Sequence, residues 1–514
     1  MIRSCALAAA LAVALLAHPA AAAPVRTGDG LLEGIRQGDV VVYKGVPFAA
    51  PPTGELRWRP PQPVKPWKGI RRADAWGPGC MQKLGPPPTG GGPFSEDCLY
   101  LNVWRPAKTK GPLPVMLWFY GGGFASGSAA WDLFDASALA RHGVMVVTFN
   151  YRLGPLGFLA HPELTKESGH VASGNYGLMD CIAALQWIRS NAAALGGDPS
   201  RVTLFGQSAG AMLINDLLIA PQARGLFSGA IGESGGYFAP ARAPWVRTSL
   251  PLFVAEKVGS DYAASLGAPT LAALRRLPAD RFLAGDGAPI ADGWLVTSDA
   301  TQAFAAGRQA DVPMLVGSNA DEANFPRLRP PTKAAEAAVA IKRYFPEFGP
   351  RILTAYPFHT DEEAWRAWLD FDSDLFFGRW DIWSWARLQA RTGKAPVFYY
   401  RFEEPEPLKD AELGRRIGAP HGSEMLFIFQ NERLATWNWT PRARTVAEQM
   451  AEYWTDFAKT GDPNGPGLPS WPRFSEASPR VMRLKDGPEP GDLPNWRQLQ
   501  FIDEMMASAR PPGG

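Results

Sequence analysis

The chain has 514 residues, 46% of them hydrophobic and 20% charged, which places it among ordinary globular proteins with ample core-forming material. Its formal net charge is +2, so no broad electrostatic field invites nucleic acid or an anionic membrane, and the expected partner is a small molecule. Length alone suggests roughly three domains, but no linker, repeat period or charge block separates independent units, and one large domain over 24–514 is expected.

Residues 1–23, "MIRSCALAAALAVALLAHPAAAA", run from a positive charge through an apolar stretch to small residues. That is the layout of a secretory signal peptide, with an A-x-A site at Ala20-Ala21-Ala22. The run from Cys5 to Ala17 is short for a bilayer span, and no other segment approaches the roughly 20 apolar residues that a span needs. No membrane anchor is expected, and the protein reads as secreted or periplasmic. Export implies an oxidising compartment for the three remaining cysteines, Cys80, Cys98 and Cys181, of which one must stay unpaired. Cys80 and Cys98 flank the Gly/Pro-rich loop "MQKLGPPPTGGGPFSED", whose closure would stabilise by about 3 kcal/mol on the chain-entropy model. Cys181, in the helix-like "GLMDCIAALQWI", reads as a buried free thiol.

Past the leader, "GLLEGIRQGDVVVYKGVPFA" predicts short strands joined by glycine turns, followed by a proline-rich surface stretch to Pro66. The runs "LNVWRP", "LPVMLWFY" and "VMVVTFNYR" have strand length and composition, and "WDLFDASALARHG" and "YGLMDCIAALQWIRSNAAALG" have helical spacing. This alternation implies an α/β protein with a mostly parallel sheet covered on both faces. Residues 240–310 read as helical, "VPMLVGSNADEANF" as strand and loop, 330–392 as a helical insert rich in Trp and Phe, and "APVFYYRFEE" as strand. The amphipathic "RTVAEQMAEYWTDFAKTG" is expected to close the domain.

Chemistry enters at "LFGQSAGAM", which joins the strand-like "RVTLFG" to a helix-like run. Gly206 and Gly210 flank Ser208 in G-x-S-x-G spacing, removing side chains that would clash in a sharp strand-to-helix turn and leaving the serine hydroxyl exposed. A serine so placed needs a base, an orienting carboxylate and an oxyanion hole. Chain order in this class of hydrolases is serine, acid, histidine, which leaves His359 and His421; His421, in the Gly/Pro loop "IGAPHGSEMLF", is favoured. "MLVGSNADEANF" supplies Asp321 and Glu322 on a loop after a strand, and composition does not choose between them. For the oxyanion, "WFYGGGFASG" offers Gly121, Gly122 and Gly123 after a strand, with the N–H of Ala209 as a further donor.

In family order, "YKGVPFAAPPTGELRWRPP", "SEDCLYLNVW", "WFYGGGF", "NYRLGPLGFL", "GNYGLMDCIAALQWIRSNAAALGGDPSRVTLFGQSAGA", "VGSNADEANF", "HGSEMLFIF" and "YWTDFAKTGDPN" resemble the type B carboxylesterases, the branch of the α/β-hydrolases that also contains the cholinesterases. The likeness spans nearly the whole mature chain. It implies an α/β-hydrolase fold with helical insertions forming a substrate gorge, and a serine carboxylesterase that works through an acyl-enzyme without cofactor or metal. It implies Ser208 as nucleophile, His421 as base and Glu322, rather than Asp321, as the acid. Gly122, Gly123 and Ala209 would hold the oxyanion, Cys80 and Cys98 would form a disulfide, and Arg57 with Glu96 and Arg152 with Asp180 would be structural ion pairs. Amide, thioester or carbamate substrates would use the same machinery, whereas non-catalytic relatives of this fold typically lack the serine.

The departures are specific. Gln207 stands where the family often carries glutamate, Glu424 matches a second acidic position, and Tyr120 precedes the glycines where many members have histidine. In cholinesterases the loop corresponding to Cys80–Cys98 is longer and carries a tryptophan that holds choline; here it has 17 residues between its cysteines and no tryptophan. The expectation is an esterase of neutral esters without choline preference, unless Trp380 or Trp383 of the insert supplies the missing ring. The sequence does not indicate an oligomeric state.

Overall fold

The computed structural model describes residues 20–83, 93–240, 243, 246, 248–324, 333–434 and 437–510. Residues 1–19 of the expected leader, 84–92 of the Cys80–Cys98 loop and 330–332 at the head of the expected insert lie outside the described residues.

Among the described residues twelve strands form the main sheet: β1 (Ala20–Ala21), β2 (Ile35–Gln37), β3 (Val40–Pro47), β4 (Tyr100–Pro106), β5 (Leu113–Phe119), β6 (Met145–Phe149), β7 (Gly197–Gln207), β8 (Gly229–Glu233), β9 (Met314–Asn319), β10 (Val397–Phe402), β11 (Arg480–Leu484) and β12 (Glu489–Asp492). Their spatial order is the chain order with β5 and β6 exchanged. From β6 through β11 every neighbouring pair is parallel, and antiparallel pairing is confined to the two flanks. Every residue of β5, β6, β8 and β9 is buried, so both faces of the central sheet are covered, as continuous apolar runs require. Helices Tyr176–Asn191, Ala209–Ile219, Arg379–Thr392 and Pro441–Thr460 pack on it, and one contiguous apolar core joins sheet and helices.

Parallel strands bring their carboxyl ends to one edge. Phe119 pairs with Gly206, Gln207 with Glu233, Glu233 with Gly317, and Asn319 with Phe402, so the loops after β5, β7, β8 and β9 emerge side by side. Ligands of open α/β sheets bind at this edge.

Three expectations change. "WDLFDASALARHG" breaks into a single turn, Asp132–Phe134, and a short helix, Ser137–Arg141. Among the described residues between 240 and 310 only Leu252–Ser265, Leu271–Arg276 and Ala300–Ala305 are α-helical; the segment around Asp292 is irregular, and that carboxylate accepts the N–H groups of Trp294, Leu295 and Val296 in place of regular pairing. Helix Pro441–Thr460 does not close the domain: β11, β12 and helix Trp496–Ser508 follow. At the other end, β1 pairs Ala20 with Arg36 and Ala21 with Ile35 on the sheet's edge, and cleavage at the A-x-A site would remove it.

The scaffold features sit where they were expected. Cys80 and Cys98 are bridged with Cα atoms 4.9 Å apart, while Cys181 is a buried free thiol. Arg57 grips Glu96 through two nitrogens at 2.7 and 2.6 Å, and Arg152 does the same to fully buried Asp180 at 2.8 and 2.7 Å. Such bidentate pairs fix the direction of both chains that carry them.

Candidate active site

Ser208 links β7 to helix Ala209–Ile219 with φ 56° and ψ −123°, a conformation that residues with a side chain rarely adopt. Its own N–H is held by the Glu233 carbonyl at 2.8 Å, which pins the strained turn to β8. The flanking glycines keep ordinary negative φ, and their role is close approach. A Cβ at Gly206 would lie 2.7 Å from the Phe119 carbonyl oxygen, and one at Gly210 only 2.0 Å from that same oxygen. The elbow is therefore pressed onto the end of β5 by two residues with no side chain.

The glycines after β5 complete this side. Gly122 (φ 115°) and Gly123 (φ 64°) have left-handed backbone, and both are exposed. The Gly122 carbonyl is turned back to accept from Ala125 and Ser126 N–H at 3.2 Å each, and a Cβ on Gly123 would meet open space. Ala209 heads its helix, where first-turn N–H groups have no partner within the helix. Gly121, also expected as a donor candidate, is a glycine for room: a Cβ there would lie 2.8 Å from the Gln207 carbonyl and 3.0 Å from Ser208 Cβ. Tyr120 stays in the core, stacked on Tyr151 at 4.5 Å, and the Tyr151 hydroxyl donates to the Tyr120 carbonyl at 2.8 Å.

On the opposite side, His421 Nδ1 lies 2.6 Å from Glu322 Oε2, and Glu322 is fully buried. The other oxygen, Oε1, accepts the Asn319 N–H at 2.6 Å. Asp321 faces away, its carboxylate accepting the Ala419 N–H at 2.9 Å, so geometry separates two acids that composition could not. His359 lies in the insert, where its N–H donates to Glu363 at 2.7 Å beside the capping box of helix Asp361–Leu375. Gln207 Nε2 is 3.0 Å from His421 Nε2, so the second ring nitrogen faces the elbow, and the Phe377 ring packs edge-on to the imidazole with centroids 5.6 Å apart.

Behind the imidazole lies a group of buried carboxyls that sequence reading located only in part. Asn319 donates from its side chain to Glu424, so one asparagine holds Glu322 by its backbone and Glu424 by its amide. Glu233, at the end of β8, accepts the Trp454 indole N–H at 2.8 Å. Burial pushes the carboxyls of Glu424 and Glu233 up, and each is raised further by a neighbouring carboxylate. Burial alone would lower the His421 pKa, but the charge and hydrogen bond of Glu322, with the charge of Glu424, raise it above the ordinary histidine value. The arrangement offers a nucleophile on a strained elbow, an oriented base and a set of N–H groups, the components of acyl transfer. Among the described residues no group of three or more His, Cys, Asp or Glu side chains is placed to hold a metal ion.

A model of the carboxylesterase family matches residues 21–502. The chain is 38% identical to fumonisin B1 esterase of Sphingopyxis macrogoltabida over 87% of this chain and 84% of that protein. It is 33% identical to carboxylesterase 5A of Canis lupus familiaris, covering 96% of this chain and 92% of the relative. Among solved structures, a PNB esterase superposes with a TM-score of 0.78 at 30% identity, over 93% of this chain and 99% of the other.

Proposed function

The chain belongs to the carboxylesterase family, has the α/β-hydrolase fold and is a carboxylic ester hydrolase, and from that premise we propose that it works through an acyl-enzyme on Ser208. Ser208 Oγ attacks the ester carbonyl while His421 Nε2 takes its proton, and Glu322 holds the imidazole in the Nδ1–H tautomer and steadies the imidazolium. The N–H groups of Gly122, Gly123 and Ala209 receive the developing oxyanion. His421 then protonates the departing alcohol, and water repeats the cycle to release the acid.

The observation that carries this reading is the 2.6 Å contact between His421 Nδ1 and Glu322 Oε2, made beside a serine with φ 56°. Its test is Ser208→Ala, expected to cut ester turnover by about 10⁶-fold, the scale on which triad serines act. More than a tenth of wild-type turnover in the purified variant would overturn the assignment. The proposed substrates are neutral esters.

We further propose that residues 1–23 are removed on export and that residues 24–514 work as one domain outside the cytoplasm. The Cys80–Cys98 bridge supports this, since disulfides persist in oxidising compartments. No helix among the described residues is long and apolar enough to cross a membrane. Intact mass of the exported protein should begin near Ala23, and a retained Met1 would contradict it.

A further inference from the structure

Gln207 is 3% exposed and wedged between the oxyanion turn and the base. A Cβ on Gly121 would lie 2.8 Å from Gln207 Oε1, and Gln207 Nε2 lies 3.0 Å from His421 Nε2. Glu322 at 2.6 Å claims the Nδ1 proton, which leaves a lone pair on Nε2. A carbonyl oxygen would be repelled there, whereas an amide N–H is attracted.

We propose that Gln207 is a positioning residue for the base, donating its amide N–H to the Nε2 lone pair of His421 and so holding the imidazole neutral, in the tautomer and orientation from which it takes the serine proton. This rests on the reading of Ser208 and His421 given above. A hydrogen bond to the neutral form of a group disfavours its charged form. That matters because the surroundings lean the other way. Glu322 on the loop after β9 and Glu424 on the imidazole's own segment both favour the charged ring, while Glu233 at the end of β8 is pushed toward its neutral form by burial and by Glu424. Arg379, at the head of helix Arg379–Thr392, is paired with Asp374 at 3.0 Å and adds only a weaker positive field at Glu322. An imidazole in such company is drawn toward imidazolium, which has no lone pair for the Ser208 proton. A neutral donor at Nε2 opposes that drift at the atom where the chemistry occurs, and it yields the lone pair when Ser208 turns to it.

The test is the pH profile of kcat/KM for a neutral ester. Gln207→Glu places a carboxylate where Nε2–H of the imidazolium can donate to it, so the acidic limb should move up by about one pH unit. Turnover would then be about tenfold lower on that limb and little changed on the alkaline plateau. Gln207→Met, similar in size but without a donor, should shift the limb in the same direction by a smaller amount, about 2- to 4-fold in rate at its midpoint. A residue that only filled space would lower the plateau without moving the limb. Limbs coincident with wild type in both variants would overturn the proposal. Should either variant fail to fold, ¹⁵N-histidine NMR of the wild-type protein decides: an Nδ1–H tautomer for His421 supports it, and an Nε2–H tautomer overturns it. Ser208→Ala, assayed alongside, separates the two readings. Turnover that vanishes in Ser208→Ala while Gln207→Glu leaves the limb unmoved overturns this inference alone, whereas turnover that survives Ser208→Ala overturns the reading of the site.

Discussion

The two halves of the site are built by different means. Ser208 owes its position to backbone: one strand, one strained residue and two glycines that let the elbow touch the Phe119 carbonyl, all but that carbonyl from one short stretch of chain. His421 owes its position to side chains: Glu322 bonds the ring across 99 residues of sequence, and Asn319 holds Glu322 by its backbone and Glu424 by its amide, the latter across 105 residues. The first half is a steric device and the second an electrostatic one. Damage to the elbow should therefore lower turnover equally at every pH, and damage to the carboxyl group should also reshape the pH profile.

The largest effect expected on the electrostatic side comes from Glu322→Gln. It leaves the shape nearly intact but lets the imidazole take the wrong tautomer, a change that costs about 10⁴-fold in kcat where an orienting acid becomes an amide. Asp321→Asn, one residue away, should retain activity within a few fold, because its carboxylate serves the Ala419 N–H rather than the ring. Steady-state kinetics of the pair checks both, and the reverse ranking would move the acid to Asp321.

On the steric side, Gly210→Ala puts a methyl group 2.0 Å from the Phe119 carbonyl oxygen, so elbow and strand must part by about an ångström. Misplacement of that size costs about 10²-fold in turnover. The loss should be the same at pH 6 and pH 9, and a loss confined to one limb would erase the contrast between the halves.

Smaller still is the effect of Glu424→Gln. Glu424 is one of the charges that raise His421, and the base must be neutral to act, so wild-type activity falls as pH drops through a His421 pKa above the ordinary value of 6.5. Removing that charge lowers the His421 pKa and moves the acidic limb to lower pH, with less than a tenfold change at any one pH. A limb that does not move would show that Glu424 is neutral in the working enzyme.

The same contrast explains what the sequence disclosed. The elbow was legible because its determinants are adjacent: a β-rich run, G-x-S-x-G, then helical spacing. The choice of Glu322 over Asp321 was not, since neighbouring carboxylates differ only in where the folded loop aims them, and from the residues alone it stayed open until the family likeness decided it. Asn319 lies inside "VGSNADEANF" and Glu233 in no quoted block, and neither was singled out because both act through partners far along the chain, Pro420 and Glu424 for one and Trp454 for the other. The C-terminal strands were missed for a different reason. β12 reads "EPGD", without β-branched or aromatic residues, and forms only because β11 offers it an edge.

The smallest expected effect concerns substrate charge, and it tests whether the electrostatic half extends to the alcohol side of the ester. The Cys80–Cys98 loop contains no tryptophan, so the rings left to consider were Trp380 and Trp383. Both are buried and turned toward the C-terminal helix: the Trp380 indole donates to Asp503 at 3.3 Å, and Trp383 packs edge-on to Trp496 at 5.4 Å. Neither presents a free face to a substrate. The ring that packs edge-on to the imidazole is that of Phe377, a weaker cation partner than an indole. A cation on an aromatic face gains about 0.5–2 kcal/mol, and at about 1.4 kcal/mol per factor of ten its absence removes roughly 2- to 30-fold of preference. Gln207 is neutral as well, so it adds no negative charge beside the serine to replace that gain. Acetylcholine should therefore hold less than a tenfold advantage in kcat/KM over 3,3-dimethylbutyl acetate, its uncharged isostere. An advantage of tenfold or more would mean that the buried carboxyls behind His421 reach the substrate's cation through the imidazole. Glu424→Gln would then shrink it, whereas an advantage that survived Glu424→Gln would point to an aromatic cation site.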